Sequence, residues 1–287
     1  MWVKLVEEKM KERMKEVQEQ EKRLKIRMAK IKNKLAILSG KGGVGKSTIT
    51  ANLAVALAQK GYKVGILDAD IHGPSIPKLL GVRKGKLTTS RIDDQGIVPV
   101  EGPFGIKIIS MDFLLPADET PVIWRGPMKM GAIRQFLADV TWGDLDFLLV
   151  DIPPGTGDEP LSIMQLIPDL DGILMITAPS EVSQIVVKRA IGFTRELHAP
   201  LIGIIENMSG FVCPKCGAEF DVFGAGGGQK ISEELSVPFL GKIPIDQKIC
   251  EDSDRGTPFI IEHPDTPAAK SFMQMVNRIE DFLKQEP

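Results

Sequence analysis

Seven short stretches of the chain run almost wholly apolar: Leu35 to Leu38, Lys63 to Leu67, Ile106 to Ile109, Phe147 to Val150, Ile173 to Thr177, Leu201 to Ile205, and Phe239 to Ile243. Between them lie segments with helical spacing, at Ser47 to Lys60, Met128 to Asp139, Leu161 to Leu166, Glu181 to Leu197 and Gln229 to Leu235, and Ser271 to Lys284 reads as a closing helix. Strands that do not alternate apolar with polar are buried on both faces, and helices between them supply the cover. The pattern predicts an α/β fold with a mostly parallel central sheet flanked by helices. From Gly81 to Gly105 the run is broken by Gly, Pro and Asp, which predicts a surface hairpin or loop.

The first 33 residues follow another rule. Val3, Met10, Val17, Leu24 and Ile31 recur every seven residues, and Met14, Met28 and Leu35 fall at complementary positions. They form an apolar stripe on a long helix otherwise covered by charge, interrupted at Glu7 and Glu21. The division predicted is an amphipathic helical arm over 1–33 and one α/β domain over 34–287, with an insertion near 208–228. The stripe suits packing on its own domain, a partner helix, or a membrane surface.

Charge narrows the partners. Residues 1–34 hold 12 basic and 6 acidic side chains, while the whole chain has 36 against 38 and a net charge of −2. The remainder is therefore acidic, 24 against 32, and lacks the basic surface that wraps nucleic acid. No run of 18 apolar residues occurs, the start lacks the apolar core of a secretion signal, and three cysteines do not make a disulfide framework. The expectation is a cytoplasmic protein without a stable nucleic-acid or membrane partner.

The sharpest chemistry is the run Gly40, Lys41, Gly42, Gly43, Val44, Gly45, Lys46, Ser47, Thr48, which meets the G-x-x-x-x-G-K-[ST] rule between a strand and a helix. Its glycines let backbone N–H groups wrap phosphates, so ATP and Mg²⁺ are the expected ligands. Lys46 is placed at the β and γ phosphates, and Ser47 offers a hydroxyl to Mg²⁺. Asp151 ends the run Phe147 to Val150, where a carboxylate supports Mg²⁺ through its water shell, and Gly155 follows with an N–H for the γ phosphate. Asp68 and Asp70 end the second strand. Asp70 is preferred because a polar loop begins immediately after it.

Cys213 and Cys216 form the one paired-cysteine motif, C-P-K-C-G. One pair supplies half of a four-thiolate site, and a twofold dimer supplies the other half. An iron–sulfur cluster, zinc, dithiol chemistry and inert thiols all remain open from the spacing alone.

With Lys41, the signature Lys41 to Ser47 resembles the deviant Walker A group of ATPases, which includes MinD, ParA and nitrogenase iron-protein relatives. That resemblance implies a nucleotide-dependent homodimer in which Lys41 reaches the partner's phosphates. Longer stretches, LDADIHGPSIPKLLG from Leu67, WRGPM from Trp124, QFLADVTWGDLDFLLVDIPPGTGD from Gln135, IIENMSGFVCPKCG from Ile204 and FGAGGG with GKIPID after it, resemble the Mrp/ApbC-type iron–sulfur cluster carrier ATPases over about residues 34–262. By that resemblance Lys41, Lys46 and Asp70 act in a slow ATP hydrolysis, with Asp70 associated with the attacking water. Ser47, Asp70 and Asp151 serve Mg²⁺, partly through water, and Gly155 is a switch. Asn207 reads adenine, with Pro244 and Asp246 near the base. Cys213 and Cys216 bridge a [4Fe-4S] cluster between two copies, receiving it from upstream scaffold proteins and passing it to apo iron–sulfur proteins. A MinD/ParA-like spatial switch and an ATPase dimer with structural zinc are the competing readings. Val186 stands where the family commonly has Asp, Cys250 matches no ligand position and reads as a buried or incidental thiol, and His72 has no metal constellation around it.

Overall fold

The structure is a computed structural model and describes residues 2–89, 96–115, 126–196, 199–213 and 215–285, without the side chains of 2–9, 196 and 285. Trp124, Arg125, Leu197 and Pro214, and the side chains of Val3 and Glu7, lie outside the described residues. In chain order the elements begin with α1 (Trp2–Met28), β1 (Ile31–Ser39), α2 (Lys46–Gln59), β2 (Val64–Asp68) and α3 (Ile76–Leu79). The short strands β3 (Thr88–Thr89), β4 (Ile97–Val98) and β5 (Val100–Glu101) follow, then β6 (Lys107–Ser110), α4 (Gly126–Asp139), β7 (Leu145–Asp151), α5 (Asp158–Leu166) and β8 (Gly172–Thr177). Next come α6 (Glu181–Glu196), β9 (Leu201–Val212), β10 (Glu219–Phe220), α7 (Gly227–Leu235), β11 (Phe239–Ile245), α8 (Gln247–Arg255), α9 (Phe259–Glu262) and α10 (Pro267–Gln285).

The main sheet has the order β10-β9-β8-β1-β7-β2-β6-β5, with β11 also paired to β9. Its inner pairs are parallel, and antiparallel partners occur at β5 on β6 and β10 on β9. The β1, β2, β7 and β8 side chains facing each helical layer are closed off from water, which explains their unbroken apolar runs. One core holds α2 and α10 against the sheet, and the other holds the end of α1 with α4 and α6. Within the irregular stretch β3 and β4 pair antiparallel, Thr88 facing Val98 and Thr89 facing Ile97.

Register sets the site. Asp68 stands beside Asp151, Asp151 beside Ile37, and Asp68 beside Ser110, so the C-terminal ends of β1, β2, β6 and β7 finish at one edge. Ligands of open parallel sheets bind there, where loops leave neighbouring strands.

The arm divides in two. Leu24, Met28 and Ile31 are buried, and α1 packs on α4 with Arg23 Nε 2.9 Å from Asp139 Oδ1. Met10, Met14 and Val17 are 61%, 59% and 50% exposed. At 1.5 Å per residue the 27-residue helix is roughly 40 Å long, more than its α4 contact covers. β1 begins at Ile31, so the last residues of the charged arm already belong to the sheet. Met28→Ala is expected to cost about 2–4 kcal/mol, whereas Met14→Ala changes stability by less than about 0.5 kcal/mol. Urea denaturation of both variants checks the contrast, and equal losses would contradict it. No helix among the described residues is long and apolar enough to cross a membrane.

Candidate functional site

The loop from Gly40 to Gly45 joins β1 to α2 and turns through left-handed backbone at Gly43 (φ 79°) and Gly45 (φ 82°). Gly45 is doubly constrained, because a Cβ there would collide with the Asn207 side-chain amide as well as strain the backbone. Lys46 opens α2 with its side chain only 6% exposed, and its Nζ lies 2.7 Å from Asp151 Oδ2. Ser47 Oγ donates to the same oxygen at 2.6 Å, and Thr50 Oγ1 donates to Asp151 Oδ1 at 2.8 Å. Asp151 is fully buried, so this cation and two hydroxyls replace the water it has lost. Thr50 is a residue the motif did not flag. It lies one helical turn beyond Lys46, on the same face.

A cleft of about 270 Å³ opens over the loop, lined by Gly42, Gly43, Gly45, Lys46, Ser47 and Thr48 together with Asp70, Ser75, Leu79 and Pro154. The two candidate aspartates of the second strand separate here. Asp70 lines the cleft, and its Oδ1 accepts the Gly73 N–H at 3.3 Å. Asp68 is turned into the body, where Oδ2 accepts from Ser110 Oγ at 3.1 Å and from Ile76 N–H at 3.3 Å. Gly155 N–H donates to Ser39 C=O at 2.9 Å, so in this conformation it is not free for a phosphate. Lys41 is half-buried and does not line the cleft. Gly40 beside it is packed by α6, where a Cβ would come within 2.7 Å of Val186 Cγ1.

Burial, reinforced by the neighbouring Asp151 charge and opposed by Lys46, pushes Asp68 up to about 8. A carboxyl that holds its proton more tightly when folded stabilises the fold least at high pH. Stability of the nucleotide-free protein is therefore expected to fall as pH rises from about 4 through 8, by up to about 1.4 kcal/mol per pH unit. Asp68→Asn should flatten that slope. Denaturation midpoints across this pH range test it, and an unchanged slope in the variant would refute the assignment.

β9 links this cleft to the cysteines. Asn207, on β9 and buried, donates from Nδ2 to Val44 C=O at 2.9 Å, so its amide holds the phosphate loop itself. Met208 (φ 57°) and Gly210 (φ 78°) then interrupt the regular strand with a bulge against β11, before β9 ends at Val212. Beyond them Phe211 stacks on Phe220 at 6.5 Å, and a tight turn carries Cys213 and Cys216, closed by Cys213 N–H to Ala218 C=O and Gly217 N–H to Cys213 C=O, both 2.9 Å. The N–H groups of Lys215 and Cys216 point at Cys213 Sγ and, with the Cys216 thiol, hold Cys213 below the ordinary thiol range. That arrangement favours the thiolate that metals bind. Among the described residues no group of three or more His, Cys, Asp or Glu forms a metal site, so the two thiols stand as a pair.

Pro244 follows Ile243, the register partner of Asn207, and Asp246 caps α8 by accepting Lys248 N–H at 2.9 Å. Neither lines the phosphate cleft. Cys250 is exposed on α8, so the buried-thiol reading is corrected: it lies on the polar side of a short surface helix. Sequence reasoning passed over Glu206, which is fully buried and accepts bonds from Ser209 Oγ and from the N–H groups of Gly226 and Gly228. Its signal was present: like Asp68 and Asp151, it is a carboxylate directly after an apolar strand run.

The family described as NUBPL iron-transfer P-loop NTPase matches residues 30–280. The chain belongs to this family. It is therefore a P-loop ATPase, and ATP with Mg²⁺ is what its phosphate loop binds. Family relatives include the iron–sulfur cluster carrier protein of Methanocaldococcus jannaschii, 56% identical over 266 residues, which are 93% of this chain and 90% of the relative. The carrier protein of Saccharolobus solfataricus is 52% identical over 264 residues, 92% of this chain and 88% of that protein. Among solved structures, the ADP complex of a nucleotide-binding protein from Archaeoglobus fulgidus superposes with a TM-score of 0.76 at 41% identity, covering 88% of this chain and 96% of that one. MinD in the MinC:MinD complex of Aquifex aeolicus, at 24% identity and a TM-score of 0.63 over 87% of this chain and 96% of that chain, shares the fold.

Proposed function

We propose that the protein is an ATP-dependent carrier that accepts a [4Fe-4S] cluster, holds it between two copies through Cys213 and Cys216 of each, and releases it to apo proteins. The observation that carries this reading is the cysteine turn. Backbone N–H groups aim at the Cys213 thiol and shift it toward its anionic form, just past the end of the strand whose Asn207 holds the phosphate loop. Four thiolates are the usual ligand set of such a cluster, and one chain supplies two. A twofold contact is supported by the exposed apolar side chains around the turn, Val212, Phe220, Val222 and Phe223, with Val182 and Ile185 nearby on α6. Close relatives bearing the carrier name support the cargo.

In this reading the chain's own groups divide the work on ATP. Lys46 leaves Asp151 for the β and γ phosphates. Ser47 and Asp151 are oxygen donors 2.6 Å apart, a set that fits Mg²⁺, which supplies charge neutralisation on the phosphates when bound. Asp70, which lines the same cleft, orients the attacking water. Gly155 exchanges the Ser39 carbonyl for the γ phosphate, and Lys41, outside its own cleft, serves the nucleotide of the second copy. Asn207, Pro244 and Asp246 frame the base.

Anaerobic reconstitution with iron and sulfide, followed by transfer to an apo acceptor protein of the four-iron class with and without ATP, tests the reading. Cluster uptake with transfer to the acceptor supports it. Stoichiometric zinc with no reconstitutable iron would replace it with the structural-zinc dimer.

A further inference from the structure

The cysteine turn hangs from two roots, Ser209 in the irregular part of β9 and Gly226 where the chain enters α7. Both roots are tied to one side chain. Glu206 Oε1 accepts from Ser209 Oγ and, at 2.9 Å, from Gly226 N–H, while Oε2 accepts from Gly228 N–H. The segment between the roots contains both Cys213 and Cys216. The carboxylate is sealed in place, since a Cβ on Gly228 would come within 3.1 Å of its Oε2 and one on Gly227 would strike the Pro179 carbonyl. Buried donors that share one acceptor are costly to leave unmet, so the roots stay where Glu206 puts them.

Glu206 is also next to Asn207 in the chain. Consecutive residues of a strand point to opposite faces, so Glu206 reaches α7 on one side while Asn207 reaches Val44 of the phosphate loop on the other. A displacement of the Val44 carbonyl acts on Asn207, on the peptide it shares with Glu206, and through that carboxylate on both roots. Met208 and Gly210, both in left-handed backbone just beyond, form a bulge within β9 between Asn207 and the cysteines, through which this displacement passes.

We propose that Glu206 is a positioning residue: it clamps both roots of the cysteine turn and makes the placement of Cys213 and Cys216 follow the nucleotide state read at Asn207. The proposal rests on the cysteine pair being the working end of the carrier.

The test uses the full-length, reduced, metal-free chain and follows iodoacetamide alkylation of each thiol by mass spectrometry. It is run without nucleotide, with saturating Mg-ADP, and with a saturating nonhydrolysable Mg-ATP analogue. Cys250, exposed on α8, is the internal reference. In the native chain the Cys213 and Cys216 rates are expected to differ at least about fivefold between nucleotide states, and in Glu206→Ala by less than about twofold. Glu206→Gln, which keeps part of the bonding, should fall between them. Ser209→Ala removes one root bond and serves where Glu206→Ala does not fold, and its response should shrink in the same direction. A clamp with no coupling role would raise the rates in all states and leave their ratio unchanged, which overturns the proposal, as does a native chain whose thiols ignore nucleotide. Because no iron is involved, failed cluster reconstitution would count against the carrier reading alone. A chain that takes up a cluster yet shows nucleotide-independent thiols would remove only the coupling.

Discussion

Lys46→Ala should lower ATP turnover by at least about 100-fold, the usual loss when a charge poised for a phosphoryl transition state is removed. The variant should also bind ATP more weakly, because the same ammonium meets the β and γ phosphates in the ground state. The resting contact explains why a charge is needed at this position. With Nζ 2.7 Å from a fully buried Asp151, Lys46 is stored as an ion pair until phosphate oxygens replace the carboxylate. Its removal leaves Asp151 with only the Ser47 and Thr50 hydroxyls, so a lower melting temperature accompanies the kinetic loss. Circular dichroism establishes that the variant is folded, and calorimetric titration with phosphate release then gives affinity and turnover. A folded variant with near-native values of both would sink the assignment.

Cluster loss on cysteine substitution is the second large effect. Cys213→Ser and Cys216→Ser should each abolish a cluster that reconstitutes at about four iron and four sulfide per two chains, because each substitution removes two of four ligands from a shared site. Cys250→Ser should leave iron content unchanged, since that thiol stands alone on α8. ATP binding should survive all three, as none of the cysteines lines the phosphate cleft. Iron and sulfide analysis with sedimentation decides the stoichiometry. Iron retained in a Cys213→Ser, Cys216→Ser double variant would dispose of the proposed site.

The Val186 side chain packs on Gly40, so α6 supports the entry to the phosphate loop through an apolar contact.

Much of the molecule was legible in one dimension because its determinants are contiguous. The phosphate loop is a single run whose glycines, lysine and hydroxyl act within one turn, and the strands of a twice-covered sheet announce themselves by unbroken apolarity. The cysteine spacing likewise belongs to one local turn. What tertiary structure decided depends on strands that meet across long separations. Asp68 and Asp151 are 83 positions apart in the numbering yet adjacent in register, which turns one inward with a raised affinity for its proton and leaves Asp70 to line the cleft. Glu206 had the same signature as those aspartates, but its partners Gly226 and Gly228 become its ligands only when α7 folds back on β9. The arm shows the same limit. Its sevenfold stripe predicts an amphipathic helix along its whole length, and the reach of α4 determines that Leu24 and Met28 are buried while Met10, Met14 and Val17 face water. Periodicity fixes which face of a helix is apolar, whereas the extent of the neighbouring surface fixes how much of that face is covered.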